Sequence, residues 1–309
     1  MLDHPPPKPL PLAANQYRLA RFNHRRLTPT CGTADWRADL RNDGEELALE
    51  AEFLDAALAC VAPLMADVPA DPDRFMAWFE ALKESGPGQG DPLFPWLAES
   101  ASLEQMVWFL TQEIAGEAGF DDLVALTQVK MPQQPKLEMA RNYWDEMGRG
   151  NAKGMHGPLL HRLAEHLNIE TSIERTVPEA LALGNVLVGL ACNRRFAFHS
   201  IGALGATELT APTRAGYVVD ALRRLGVPAR ARQYFALHAV LDVRHSAAWN
   251  EEVLRPLVVE DAGRCRALAE GALLRLWCGA RCFDRYRAEF GLSRNATVPA
   301  AGTAISFGS

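Results

Sequence analysis

A chain of 309 residues with 48% hydrophobic and 23% charged residues can bury a large core, as one big domain or two smaller ones. A formal net charge of −6, with no cluster of Lys or Arg alternating with aromatics, excludes an electrostatic footprint for nucleic acid. No apolar run reaches about 18 residues, and the opening Met1-Leu-Asp-His-Pro-Pro-Pro lacks the basic start and apolar region of a signal peptide, so no membrane contact and a cytoplasmic location are expected.

Residues 1–44 are rich in Pro, Arg and Asn without a lasting period and read as an extended N-terminal arm, ahead of one helical domain over 45–309. From Gly44 the pattern is helical. Residues 45–65 are dense in Ala, Leu and Glu, and Asp71-Pro-Asp-Arg opens a second helix with a capping Asp and Pro at the first position. Further helices are expected at 92–117, 136–147, 153–168, 178–204, 211–225, 230–250 and 261–290, separated by turns such as Gly148-Arg-Gly150 and Gly226-Val-Pro228. The six Cys are scattered, and Cys278 and Cys282, four apart on one helix, read as small buried residues. There is no internal repeat, P-loop, GxGxxG or nucleophile elbow, so nucleotide and hydrolase chemistry have no support. The architecture expected is all-α.

The chemistry lies in His238-Ala-Val-Leu-Asp242-Val-Arg-His245. On a helix these two imidazoles and the carboxylate fall within about 60° of one another, and three such groups packed together without a cation cost desolvation and repulsion. A single His is more often a core or surface residue; the shared face points to a metal. A helical bundle builds metal sites from inward-facing residues on several helices. Glu113, on the apolar face of its helix, Glu146, with His156 ten residues beyond it, and Glu208, in the apolar Ala203-Leu-Gly-Ala-Thr-Glu-Leu, are the candidate partners. Taken singly, each carboxylate is more readily a solvated helix charge; together they count for more.

Three segments together carry a family resemblance: Phe120-Asp-Asp-Leu-Val-Ala-Leu-Thr-Gln, Pro135-Lys-Leu-Glu-Met-Ala-Arg-Asn-Tyr-Trp-Asp-Glu-Met-Gly with its following His, and His-x3-Asp-x2-His. Over about residues 45–290 the chain resembles the heme-oxygenase-like di-iron oxidases, the iron-containing redox enzymes, and among them the N-oxygenases. The resemblance implies a heme-oxygenase-like bundle of about seven core helices. It implies Glu113, Glu146, His156, His238, Asp242 and His245 as iron ligands, with Glu208 as a further carboxylate that also acts in the O₂ chemistry. Glu117, four residues after Glu113, competes with it for one position. Four carboxylates balance two divalent cations, and three neutral imidazoles favour iron over magnesium or calcium.

The cofactors implied are two Fe(II) ions, with O₂ as co-substrate and an external electron donor, a reductase or a chemical reductant. Glu208 and the long Glu146-to-His156 spacing resemble the N-oxygenating members. The substrate expected is then a small amine, guanidine or aminoazole derived from an amino acid, oxidised to a hydroxylamine, nitroso or nitro product in the biosynthesis of a specialised metabolite. The alternative in the same family is cleavage of a C–C bond in a fatty acid or amino acid. A non-enzymatic metal-binding bundle or an axial-His heme protein would not require seven convergent ligands. Trp108, Trp144, Phe198, Trp249 and Arg244 lie near the candidate ligands in sequence, yet none is assigned to the substrate, since an aromatic at helical spacing is more often core. A homodimer is the commonest symmetric assembly.

Overall fold

The computed structural model describes residues 13–32, 36–116 and 119–293; these are built from helices and turns, with no strand among them. In chain order the helices are α1 (Ala13–Leu27), α2 (Trp36–Val61), α3 (Pro72–Ser85), α4 (Leu93–Glu99), α5 (Leu103–Gly116), α6 (Phe120–Thr127) and α7 (Gln133–Glu146). They continue with α8 (His156–His166), α9 (Pro178–Cys192), α10 (Ala197–Arg224), α11 (Gln233–Ala248), α12 (Arg255–Glu260) and α13 (Arg264–Glu289). The expectation of an all-α fold holds. None of these helices is long and apolar enough to cross a membrane.

The core is organised by α9, α10 and α13. α9 begins with Pro178 at the position where its missing N–H is not needed, and it is apolar on nearly every side, so it is buried almost all round. α10 and α13 lie backbone against backbone. A Cβ on Gly202 would sit 1.9 Å from the Leu268 carbonyl oxygen, and one on Gly271 only 1.8 Å from that of His199. α11 runs along α10 and ends in a π-helical turn, Trp249–Leu254. There the buried Trp249 donates through Nε1 to the Ile201 carbonyl at 3.3 Å, pinning the end of α11 to α10.

Two expectations need correction. Residues 13–27 are not an extended arm but a helix docked on α9, and α2 starts at Trp36, before residue 45. The buried face of α1 joins Leu19 and Phe22 to the amides Gln16 and Asn23, which breaks up the apolar period. Those amides bond across to α9: Asn23 Nδ2 donates to Asn185 Oδ1 at 2.9 Å, and Asn185 Nδ2 donates to Gln16 Oε1 at 3.0 Å. The helix break expected between residues 204 and 211 falls instead at Asn193, whose side chain accepts from the Arg195 N–H at 3.1 Å. α10 then continues through Pro212. A proline there has no N–H to give to the Glu208 carbonyl, so α10 lacks one backbone bond beside the site described next.

Candidate metal centre

Local backbone geometry brings the first candidates together. Glu146 is the last residue of α7 and His156 the first of α8. Between them Gly148, Arg149 and Gly150 all have positive φ, at 59°, 53° and 82°. A Cβ on Gly148 would lie 2.4 Å from the Gly154 carbonyl carbon, so only glycine closes this turn. The reversal sets His156 Nδ1 2.5 Å from Glu146 Oε2, both side chains buried. α11 supplies His238, whose ring meets that of His156 edge-on at 4.7 Å and packs on Tyr234 at 4.4 Å.

Glu146, His156 and His238 each offer a ligand atom within 4.8 Å of the others, and Glu208, Asp242 and His245 form a second such group. The face shared by residues 238, 242 and 245 is therefore divided, one residue facing one trio and two the other. The trios are joined because His238 Nδ1 lies 3.0 Å from both carboxylate oxygens of Asp242. Glu113 is the expected ligand that falls in neither trio. It lines the same cavity, where its carboxylate accepts from the Tyr286 hydroxyl and acts on Arg214. Glu117 lies outside the described residues.

The electrostatics are those of a place built for positive charge. Burial, then the neighbouring Glu208 carboxylate, raises Asp242 from its ordinary value to about 6. Burial works against protonation of His245, but Glu208, Asp145 and Asp242 outweigh it and raise that imidazole to about 9. His245 Nδ1 faces Glu208 Oε2 at 3.6 Å and Asp242 Oδ1 at 3.9 Å. It has no hydrogen-bond partner among the described residues. A buried nitrogen aimed between two carboxylates beyond hydrogen-bond range is the arrangement a cation would complete. The donor types fit iron. The first trio is two imidazoles and a carboxylate, the set used by non-heme Fe(II) oxygenases, and the second is two carboxylates and an imidazole, with no thiolate in either.

Residues that sequence reasoning missed orient this set. Asn142 Nδ2 donates to Glu208 Oε1 at 2.6 Å, and His245 Nε2 lies 3.1 Å from Asp145 Oδ2. Asp145 is itself held by Arg149 at 2.6 Å. Burial alone would raise the Asp145 carboxyl, but its bonds to Arg149 and His245 hold it below the usual carboxylate range. For Asn142 the available signal was helical spacing, four residues before Glu146; Asp145, next to Glu146 and so turned away from it on the helix, gave none.

A cavity of about 110 Å³ opens beside the trios, reaching Glu208, His238 and Asp242 and walled largely by apolar side chains including Phe94, Phe120 and Phe235. None of Trp108, Trp144, Phe198, Trp249 and Arg244 lines it. Trp108 packs on Tyr286 and Phe290, and Arg264 lies over Phe198. Trp144 and Arg244 border a surface groove on the Asp145 side of His245.

A family model described as iron-containing redox enzyme matches residues 107–280, more than half of the chain, and that span includes every member of both trios. No curated protein matches. Among solved structures the chain is similar to a domain of unknown function with a heme oxygenase-like fold from Shewanella denitrificans. The two are 16% identical, and the match covers 73% of this chain and 97% of that one at a TM-score of 0.47.

Proposed function

The chain belongs to the iron-containing redox enzymes, and from that membership we propose that it is a non-heme di-iron oxygenase that oxidises the amine nitrogen of a small substrate. The observation that carries this reading is the pair of ligand trios joined through His238 and Asp242. Glu146, His156 and His238 would hold one iron, and Glu208, Asp242 and His245 the other. Iron bound there would supply the two electrons needed to reduce O₂, one oxygen atom going to the substrate and the other leaving as water after taking up two protons, and an external donor would restore the electrons.

The protein's own groups set the geometry. Asp145 engages His245 Nε2 and so leaves Nδ1 facing Glu208 and Asp242. Asn142 occupies Oε1 of Glu208 and leaves Oε2 turned to the same point. Apolar side chains, Phe94, Phe120 and Phe235 among them, wall much of the cavity beside these groups. Glu208, the further carboxylate that resembles the N-oxygenating members, supports nitrogen oxidation in this reading through its place in the second trio.

The test is anaerobic loading with ferrous iron, metal analysis, and mass spectrometry of products after exposure to O₂ with a panel of amines and fatty acids. Two irons per chain and products heavier by oxygen on nitrogen are expected. Alkene or chain-shortened products from the acids, with the amines untouched, would overturn the nitrogen reading. Failure to bind iron would overturn the whole.

A further inference from the structure

The chain covers only part of the apolar face of α2. At 100° per residue Trp36, Leu40, Gly44, Leu47 and Ala51 fall within about 80° of one another, and Leu54 and Leu58 continue the same stripe. In the C-terminal half of the helix this stripe is core, with Leu54 only 1% exposed and Leu58 packed against the cluster. In the N-terminal half it meets solvent: Trp36 is 50% exposed, Leu40 58% and Leu47 49%. α1 closes one flank, where Arg25 pairs with Asp43, Arg18 with Glu46 and Arg26 with Glu50. The opposite flank carries Arg37 and Arg41 near the start of the helix and Glu52 and Asp55 later in it, and none of these four has an ion pair among the described residues. Gly44 is a second sign. A Cβ there would meet nothing within 4 Å, so no contact within the chain calls for glycine, which weakens a helix interior relative to alanine.

We infer that this face is the interface of a homodimer in which α2 lies antiparallel against α2 of a second copy. Across a two-fold axis a surface meets itself, so it must be self-complementary. With the axis between Asp43 and Gly44, Leu40 falls opposite Leu47 of the second copy and Trp36 opposite Ala51, a large side chain against a small one. Gly44 then lies at the crossing, where the missing side chain lets two helices approach closely. The charges obey the same order, since the basic start of one helix, Arg37 and Arg41, runs beside Glu52 and Asp55 of the other. A parallel pair would stack Trp36 on Trp36 and set like charges side by side, which is unfavourable. This match of the face to itself, in apolar register and in charge, points to a second copy. Residues 36–51 span about 24 Å at 1.5 Å each. Helices paired over that length bury less than about 1,200 Å² in total, the range of reversible interfaces, so a dimer dissociating at on the order of micromolar concentrations is expected. The inference uses no metal and is independent of the di-iron reading.

Sedimentation velocity of the full chain from about 1 to about 300 µM should show a dimer that grows with concentration. Leu40→Glu combined with Leu47→Glu should stay monomeric throughout, with the circular dichroism and thermal midpoint of the wild type. Arg37→Glu should weaken association about tenfold, and adding Glu52→Arg should restore it. Register is read by cross-linking in a Cys31→Ser background, which removes the exposed thiol. Mixed Leu40→Cys and Leu47→Cys proteins should oxidise to a linked dimer about tenfold faster than either alone, because only the mixture brings the two thiols opposite each other. A monomer at every concentration overturns the inference. So does a dimer that persists in the doubly charged variant, which would place the contact elsewhere. Leu40→Cys linking to itself as fast as to Leu47→Cys, or association unchanged by Arg37→Glu, overturns it as well, since antiparallel register and charge order are what identify the second copy.

Discussion

Loading the second trio with ferrous iron should expel a proton from His245. In the metal-free protein the carboxylates of Glu208, Asp145 and Asp242 overcome burial and raise this imidazole to about 9, yet a metal takes only the neutral form. At pH 7 the two-unit gap weakens apparent affinity about 100-fold, or ~2.7 kcal/mol at 1.36 kcal/mol per unit. Affinity should therefore climb about tenfold per pH unit from 7 to 9 and then flatten. Below about 6 the slope should steepen, because Asp242, raised to about 6 by burial and by Glu208, takes up a second proton. The sign for the metal-free fold is opposite. A raised imidazole value contributes stability that is complete below the unfolded value of about 6.5 and is lost as pH rises through about 9. The assay is anaerobic calorimetry of Fe(II) binding at pH 7.5 in buffers of different ionisation enthalpy. About one proton released on filling this trio is expected, and less in Glu208→Gln. A flat affinity between pH 7 and 9 with no proton released would refute the argument.

Removing ligands by trio should separate the metals: His156→Ala should keep the iron of the second trio and Glu208→Ala that of the first, each falling from two irons per chain to about one by elemental analysis, and equal loss of both from either variant would contradict the division. His238→Ala should be the most damaging single change, because His238 belongs to one trio and bonds Asp242 of the other. Asp145→Asn should weaken metal binding about 10- to 100-fold at unchanged stoichiometry, as is typical when the partner orienting a ligating imidazole is lost; an unaltered titration curve would remove Asp145 from the site. Gly271→Ala should destabilise by about 3 kcal/mol or more through overpacking against the His199 carbonyl, and a thermal midpoint within about 1 °C of wild type would show that α10 and α13 yield more easily than their geometry implies. His199 is lowered by burial, which its bond to Glu270 only partly offsets; stability should therefore be full above about 6.5 and fall as pH drops below it, and His199→Asn should flatten the difference in urea midpoint between pH 7.5 and 5.5.

How legible the site was depended on sequence distance. His238, Asp242 and His245 share one helix, so spacing alone places them on a face, and the glycines at 148 and 150 advertise the turn that joins Glu146 to His156. Arg214 and Arg275, which line the cavity beside the trios, gave no such signal, since an arginine on a helix ordinarily reaches water and only the packing of α10 on α13 turns these two inward. Glu113 illustrates the same limit from the other side. Its helical face was readable, but whether its carboxylate meets a metal trio or Tyr286 depends on which helix lies opposite.

Sequence by itself determined that the chain is helical and that His238, Asp242 and His245 share one face of α11, because both follow from periodicity within a helix, whereas Glu146, His156 and Glu208 were candidate partners named from ligand chemistry and the family resemblance. Only tertiary structure decided that this face serves two trios, that residues 13–27 are a docked helix, and that two arginines line the cavity beside those trios. Those depend on contacts between segments far apart in the chain, such as Asn23 with Asn185 and Thr207 with Arg275, and on two glycines that let α10 and α13 approach at backbone distance. Local periodicity states which side of a helix is buried; what it is buried against is fixed by closure of the whole core.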